Sequence, residues 1–321
     1  MIFFLNRAEP IRLTQSLRER GRSALLALQK RFKSPYGGAL SVQHNLKLEL
    51  RRQKDFFWAA ADGSYPDKSV DVAWAINSVH DLAYAYTLKE KGLVKKVWGG
   101  PNLVVVPQEA GTVLQSDLLD AYIVPCHWVA DFYAQQEPQL TKKLSIWPVG
   151  IDTDYWQDTF NLAKNTLLIY NKNQSELTQT IEEQARRLNL QTRVIHYGSY
   201  TPEDYRNALA VAWGMVWLSG SETQGLACLE ALSVNVPVLA WDPGRWDYES
   251  IKMRKHFSCA ASSVPYFDAT CGEVFTMAGE FLPALERFRA HLQMYQPRAC
   301  ILRQNLDVVT NLRLLTPLHA V

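Results

Sequence analysis

Two glutamates, Glu222 and Glu230, stand with seven residues between them around what reads as the opening of a helix. The apolar run Met215–Ser219 predicts a buried strand, Ser219–Gln224 a polar turn, and Gly225–Val234 a helix that closes before Pro237; Val236–Ala240 returns as a strand. The amides of Gly225, Leu226 and Ala227 open that helix without carbonyl partners, so its positive end favours an anion such as phosphate. Glu222 can reach a group held in front of the helix end. Glu230 projects from the helix side ~12 Å further along, by helical rise. One carboxylate then serves each end of an extended ligand, and a carboxylate accepting two hydroxyl donors suits a ribose, which makes Glu230 the candidate ribose ligand. The competing structural reading makes Glu222 a helix-dipole acid and Glu230 a solvent-facing helix residue.

Strands and helices must alternate to position these groups, and they do so over nearly the whole chain. The first half predicts strands at Ile2–Leu5, Phe56–Ala60, Val70–Ile76, Leu103–Pro107, Ala121–Pro125 and Leu144–Val149, with helices at Ala39–Lys54, Val79–Lys91 and His127–Gln136. The second half predicts strands at Thr166–Asn171 and Thr192–Tyr197 besides those above, with helices at Glu176–Leu188 and Pro202–Ala210. Beyond Thr276 the pattern is helical, broken at Pro297, with a last helix over Ala299–Leu315. Two such series give an α/β chain of two Rossmann-like domains, residues 1–155 and 156–321, hinged in the turn-rich stretch Gly150–Lys164.

A 321-residue chain that is 47% hydrophobic and 21% charged is globular, which excludes a disordered tail protein. It has no uninterrupted apolar stretch of spanning length and no signal-peptide pattern at its start, so it is expected in the cytoplasm. The five cysteines form no Cys-x-x-Cys pair and read as packing residues. Residues 1–55 carry twelve Lys/Arg against four Asp/Glu, +8, which leaves −6 in the remainder of a +2 chain. Within them, Ile11–Lys33 spaces Leu13, Leu17, Ala24, Leu25 and Leu28 among seven basic residues, the pattern of a helix on an anionic membrane surface or against a neighbouring domain.

Glu222 and Glu230 in this context resemble the Glu-x7-Glu motif of retaining GT-B glycosyltransferases, glycosyltransferase family 4 in particular. Tyr36-Gly37-Gly38-Ala39 resembles that family's glycine loop, Ile123–Val129 the segment closing its first domain, and Trp147–Asp154 the turn into its second. Ile195-His196-Tyr197-Gly198 and Ser233–Val238 resemble its strand-Gly element and helix-to-strand connection. The resemblance implies a GT-B fold and transfer of a sugar from a UDP- or GDP-linked donor, with retention, to a glycan or lipid-linked acceptor in polysaccharide or lipopolysaccharide synthesis. It implies no metal and no cofactor besides the donor, and no nucleic acid partner. Glu222 and Lys172 take the catalytic roles; Gly37, Gly38, Tyr197, Gly198, Thr223, Gln224, Gly225, Leu226 and Glu230 contact the donor.

The chain departs from the family where Thr223 and Gln224 replace a glycine and an aromatic, and where Tyr170-Asn171-Lys172 offers one cation in place of a Gly-Arg pair and a lysine. Lys172 is thus the phosphate candidate ahead of Arg193 and Arg206. Glu109 is an alternative contact to donor or acceptor, and His44, His80 and His127 read as packed or surface residues. Asp152-Thr153-Asp154 could be a metal-holding Asp-x-Asp, but Pro148 and Gly150 make it read as a turn. The alternatives are a GT-B-like binding or scaffold protein without activity, or another nucleotide-sugar enzyme such as an epimerase. A dehydrogenase is disfavoured because no Gly-x-Gly-x-x-Gly follows the first strand.

Overall fold

The structure, a computed structural model, describes residues 2–5, 38–51, 56–58, 70–157 and 164–315. The basic segment 11–33 and Gly37 lie outside the described residues. The first half contains β1 (Ile2–Leu5), α1 (Gly38–Arg51), β2 (Phe56–Trp58), β3 (Val70–Ala75), α2 (Val79–Glu90), β4 (Val94–Gly99), β5 (Ala121–Val124), α3 (His127–Gln136) and β6 (Leu144–Ile146). The second contains β7 (Thr166–Asn171), α4 (Ser175–Arg187), β8 (Gln191–His196), α5 (Pro202–Ala210), β9 (Ala212–Leu218), α6 (Leu226–Ser233), β10 (Val238–Trp241), β11 (Arg245–Ser250), β12 (Lys255–Ala260), β13 (Gly272–Phe275), α7 (Phe281–Ala290) and α8 (Pro297–Arg303).

Two parallel sheets result, ordered β2-β1-β3-β4-β5-β6 and β13-β10-β9-β7-β8, with β11 and β12 as a separate antiparallel hairpin. Every residue of β7 and β9 is buried, as expected of parallel strands covered by helices on both faces. In the second sheet the winding direction reverses between β7 and β9, because β8 lies on one side of β7 while β9, β10 and β13 extend to the other. Such a reversal opens a crevice at the carboxyl ends of the two strands, where open α/β sheets bind ligands. No helix among the described residues is long and apolar enough to cross a membrane.

The halves are joined by more than the linker. At Ile151 the chain forms a parallel bridge to Asp307: Ile151 N donates to Leu306 O at 2.7 Å and Val308 N to Ile151 O at 3.0 Å. The returning Leu312, Leu314 and Leu315 then pack against Ile2, Val42 and a group of buried tryptophans, Trp74, Trp98 and Trp147. The β11–β12 hairpin also reaches across, with the Trp246 ring 5.1 Å from Phe132 and Phe257 buried in the first half's core.

Sequence expectations need correction at three places. Leu103–Pro107 is not a strand; it forms bends running into a 3-10 turn at Pro107–Ala110, with Leu103 and Val106 both buried. The strand is Val94–Gly99, masked in the sequence by Lys95 and Lys96, of which Lys95 pairs with Asp71 at 2.7 Å on the exposed side. The last helix is not continuous from Ala299 to Leu315. Pro297 starts α8 and does not merely break the pattern, since its missing N–H is needed by no carbonyl at a first helical turn. Asn305 (φ 54°) follows the end of that helix, and a 3-10 turn over Asn311–Leu315 comes after it. Finally, the stretch 245–275 holds three strands that hydrophobic runs alone do not show.

Candidate active site in the interdomain cleft

Lys172 follows β7 and Glu222 lies in the loop after β9, so the winding reversal itself brings them together. Lys172 Nζ donates to Glu222 Oε1 at 2.6 Å, and Ser219 Oγ donates to the same oxygen at 2.7 Å. Glu222 Oε2 accepts no hydrogen bond from the described residues. The Lys172 ammonium also lies 4.8 Å from the centre of the Tyr197 ring. Glu222 side-chain exposure is 11% against 27% for Lys172, so this pair is only partly screened by water.

The turn beyond Glu222 depends on Gly225, whose φ of 73° and ψ of 48° are left-handed and favour a residue without Cβ. It caps α6, and the amides that follow open into a cavity of about 410 Å³. That cavity is lined from the second half by Lys172, Tyr197, Glu222, Thr223, Gln224, Gly225, Leu226 and Glu230. Eight of the residues singled out from sequence therefore share one space. Gly198, in the left-handed turn after β8, is not among the lining residues, and Gly38 opens α1.

The Glu230 carboxyl makes no hydrogen bond or ion pair with the described residues, although it faces this cavity from α6. Burial pushes its carboxyl up to about 8. The surrounding wall explains why, for Tyr170 and Trp217 stack at 4.6 Å on neighbouring strands and Tyr170 OH meets Tyr200 OH at 2.7 Å. Apolar rings desolvate the acid without pairing it.

Several expected contacts have other work. Gln224 lines the cavity, but its amide is engaged by one residue of the first half: Nε2 donates to Val149 O at 2.6 Å and Oε1 accepts from Val149 N at 3.1 Å. Glu109 is a strut between the halves and not a cavity residue. It accepts from Ser250 Oγ at 2.6 Å and Tyr248 OH at 3.1 Å, and its carbonyl accepts from Lys252. Arg193 and Arg206 do not line the cavity, and Arg206 stacks on Tyr155. Asp152 does line it, with Oδ1 accepting from Asp154 N and Tyr155 N at 3.2 and 3.3 Å, the geometry of a turn. Elsewhere, Asp268, Cys271 and Cys300 bring potential metal ligands within 4.8 Å of one another, but Asp268 is engaged by Arg303 at 2.6 Å.

His44, which from sequence reads as a packed or surface residue, is exposed, and with Ser41, Asn45 and Leu48 it forms the face of α1 that lines the cavity. The i, i+3, i+4, i+7 spacing of these positions is visible in the sequence, but polar and apolar types mix along it and hide the common face. The aromatic wall is likewise legible only as strand core.

Residues 157–256, under a third of the chain, match the family model described as "Glycosyl transferases group 1". No curated protein sequence matches the chain. Among solved structures, a glycosyltransferase from Rickettsia africae superposes with a TM-score of 0.57 at 12% identity, covering 99% of this chain and 97% of that one. Anabaena HepE in complex with UDP and glucose gives 0.55 at 13% identity, covering 100% and 99%. The lipopolysaccharide outer core galactosyltransferase WaaB, apo form, gives 0.52 at 14% identity, covering 87% and 78%. The protein thus has the GT-B fold, two Rossmann-like α/β units facing each other across a cleft.

Proposed function

We propose that the protein is a glycosyltransferase that moves a sugar from a nucleoside-diphosphate sugar to a glycan or lipid-linked acceptor, with retention and without a bound metal. The observation that carries this reading is Glu230: a half-buried carboxyl, its side chain unpaired by the described residues, facing a cavity of about 410 Å³ that also receives the amino end of its own helix. Two ribose hydroxyls supply the donors this acid lacks, and the diphosphate then meets the α6 amides and Lys172. Charge building on the departing diphosphate is stabilised by those groups, while Glu222 holds the transferred sugar's hydroxyls. Movement about the linker after Gly150 would part the units 1–155 and 156–321 to admit the donor and bring them back together to exclude water. The glycosyl transferase family match over residues 157–256 supports the reading, because it covers Lys172, Glu222 and Glu230.

The basic residues 11–33 fit an acceptor or lipid at the inner face of an anionic membrane, in polysaccharide or lipopolysaccharide assembly. A second reading, a GT-B binding protein without turnover, is favoured by one observation: among the described residues Lys172 is the one Lys or Arg lining the cavity, and Glu222 already pairs it.

Thermal unfolding with UDP, GDP, ADP and NAD, each with and without EDTA, tests the donor site. One nucleoside diphosphate should raise the midpoint in wild type, resist EDTA, and lose its effect in Glu230→Ala. No shift with any of them sinks the reading. Nucleotide release from the matching nucleotide sugar separates the transferase from the binding protein.

A further inference from the structure

The loop carrying Glu222 is held from both halves of the molecule. Its own half supplies Ser262, whose carbonyl accepts from Glu222 N at 2.9 Å. Ser262 is itself fixed, since its Oγ donates to Asp242 Oδ2 at 2.6 Å and Ser263 N donates to Asp242 Oδ1 at 3.0 Å. The other half supplies Trp128, in the first turn of α3, whose indole Nε1 donates to Glu222 O at 2.8 Å. Both backbone polar groups of Glu222 are therefore engaged, one by each half. The Trp128 ring also lies 5.9 Å from Trp246 on the β11–β12 hairpin, so its orientation is set by a second contact across the same boundary.

We infer that Trp128 is a positioning residue for Glu222, so that seating of the two halves and placement of the carboxylate are one event. The role assigned to the carboxylate rests on the proposed donor site; the positioning itself rests on the hydrogen bonds above. When the halves separate, the indole is withdrawn and the Glu222 backbone keeps only its Ser262 bond. Lys172 and Ser219 then hold a carboxylate whose backbone is free to shift. The correct geometry for sugar transfer is thus available only when the cleft is closed, which limits wasteful donor hydrolysis in the open form.

Hydrogen exchange of the segment 219–226 tests this in the full chain, for wild type, Trp128→Phe and Tyr266→Phe. Trp128→Phe keeps an aromatic ring and removes the donor. Tyr266→Phe removes a different bond across the boundary, from Tyr266 OH to Pro125 O. Exchange in the segment is expected to rise about tenfold in Trp128→Phe and to stay within about twofold in Tyr266→Phe. No change in Trp128→Phe, or an equal rise in both variants, overturns the inference. Nucleotide release from UDP-glucose or GDP-mannose gives a second readout: kcat falls about tenfold in Trp128→Phe while KM stays within about twofold. A parallel rise in KM marks a merely structural role and counts against positioning. Wild-type protein that binds neither UDP nor GDP overturns the donor reading instead, and the exchange measurement still decides the role of Trp128.

Discussion

Lys172 Nζ and Glu222 Oε1 lie 2.6 Å apart at the carboxyl ends of β7 and β9, so the cation best placed for a phosphate is already committed to the acid beside it. A diphosphate bound as proposed would have to share or take that ammonium, with part of its attraction offset by the lost pair. Glu222→Gln removes the competitor and leaves the lysine. Nucleoside diphosphate affinity is therefore expected to rise about threefold to tenfold in Glu222→Gln, while nucleotide-sugar turnover falls at least about a hundredfold. Lys172→Met should weaken binding by at least about tenfold. Titration calorimetry checks both, and weaker binding in Glu222→Gln would contradict the competition.

The burial of Glu230 predicts a pH dependence whose sign follows from the direction of its shift. Its carboxyl is pushed up to about 8 by burial, from the ordinary glutamate value of 4.5. Between those values the folded form keeps a proton that the unfolded form has released, so stability falls as pH rises through this window and levels off above it. Glu230→Gln carries no such proton. Its stability relative to wild type should be near level at about pH 4.5 and higher by an amount on the order of a few kcal/mol at about pH 8 to 9. Denaturant unfolding across that range measures it, and a constant difference would show that Glu230 is not desolvated.

Gly150 is gripped by two side chains of α1: Asn45 Nδ2 donates to its carbonyl at 2.9 Å and Glu49 Oε1 accepts from its amide at 2.6 Å. Burial raises the Glu49 carboxyl well above its usual range, with the charge of Asp307 adding in the same direction. A Cβ on Gly150 would come within 2.6 Å of Glu49 Oε1 and 2.8 Å of Val308 N, so neither the helix nor the returning chain leaves it room. Gly150→Ala should cost about 1–3 kcal/mol. The loss should appear as a lower unfolding midpoint, and an unchanged midpoint would mean that the junction moves aside freely.

The second half is the easier to read from sequence because β7 and β9 are buried on both faces and show as unbroken apolar runs. The helix-opening turn at Gly225 and the two glutamates follow from local rules, and the cavity gathers them with Lys172. The β11–β12 hairpin escapes because Trp246 and Tyr248 alternate with Arg245, Asp247 and Glu249, a half-buried strand pattern that a search for apolar runs passes over. Gln224 and Glu109 cannot be placed from sequence at all. Their partners, Val149 and Ser250, lie 75 and 141 positions away, and only the joined halves bring them into contact.

Gly225 separates backbone strain from crowding. Its φ of 73° is left-handed, yet the nearest atoms to an added Cβ, Glu222 Cβ and Cγ, stay 3.6 Å away, an ordinary contact. Gly225→Ala should therefore lose only the strain, roughly 1–2 kcal/mol. The same strain falls on the turn between Glu222 and the first amides of α6, so nucleotide affinity should drop further than stability alone predicts. Gly225→Asn, whose side chain tolerates the left-handed region, should recover much of both. Unfolding midpoints and nucleotide titrations on the two variants test this together, and an asparagine variant as impaired as the alanine one would point to crowding by the ligand instead of strain in the turn.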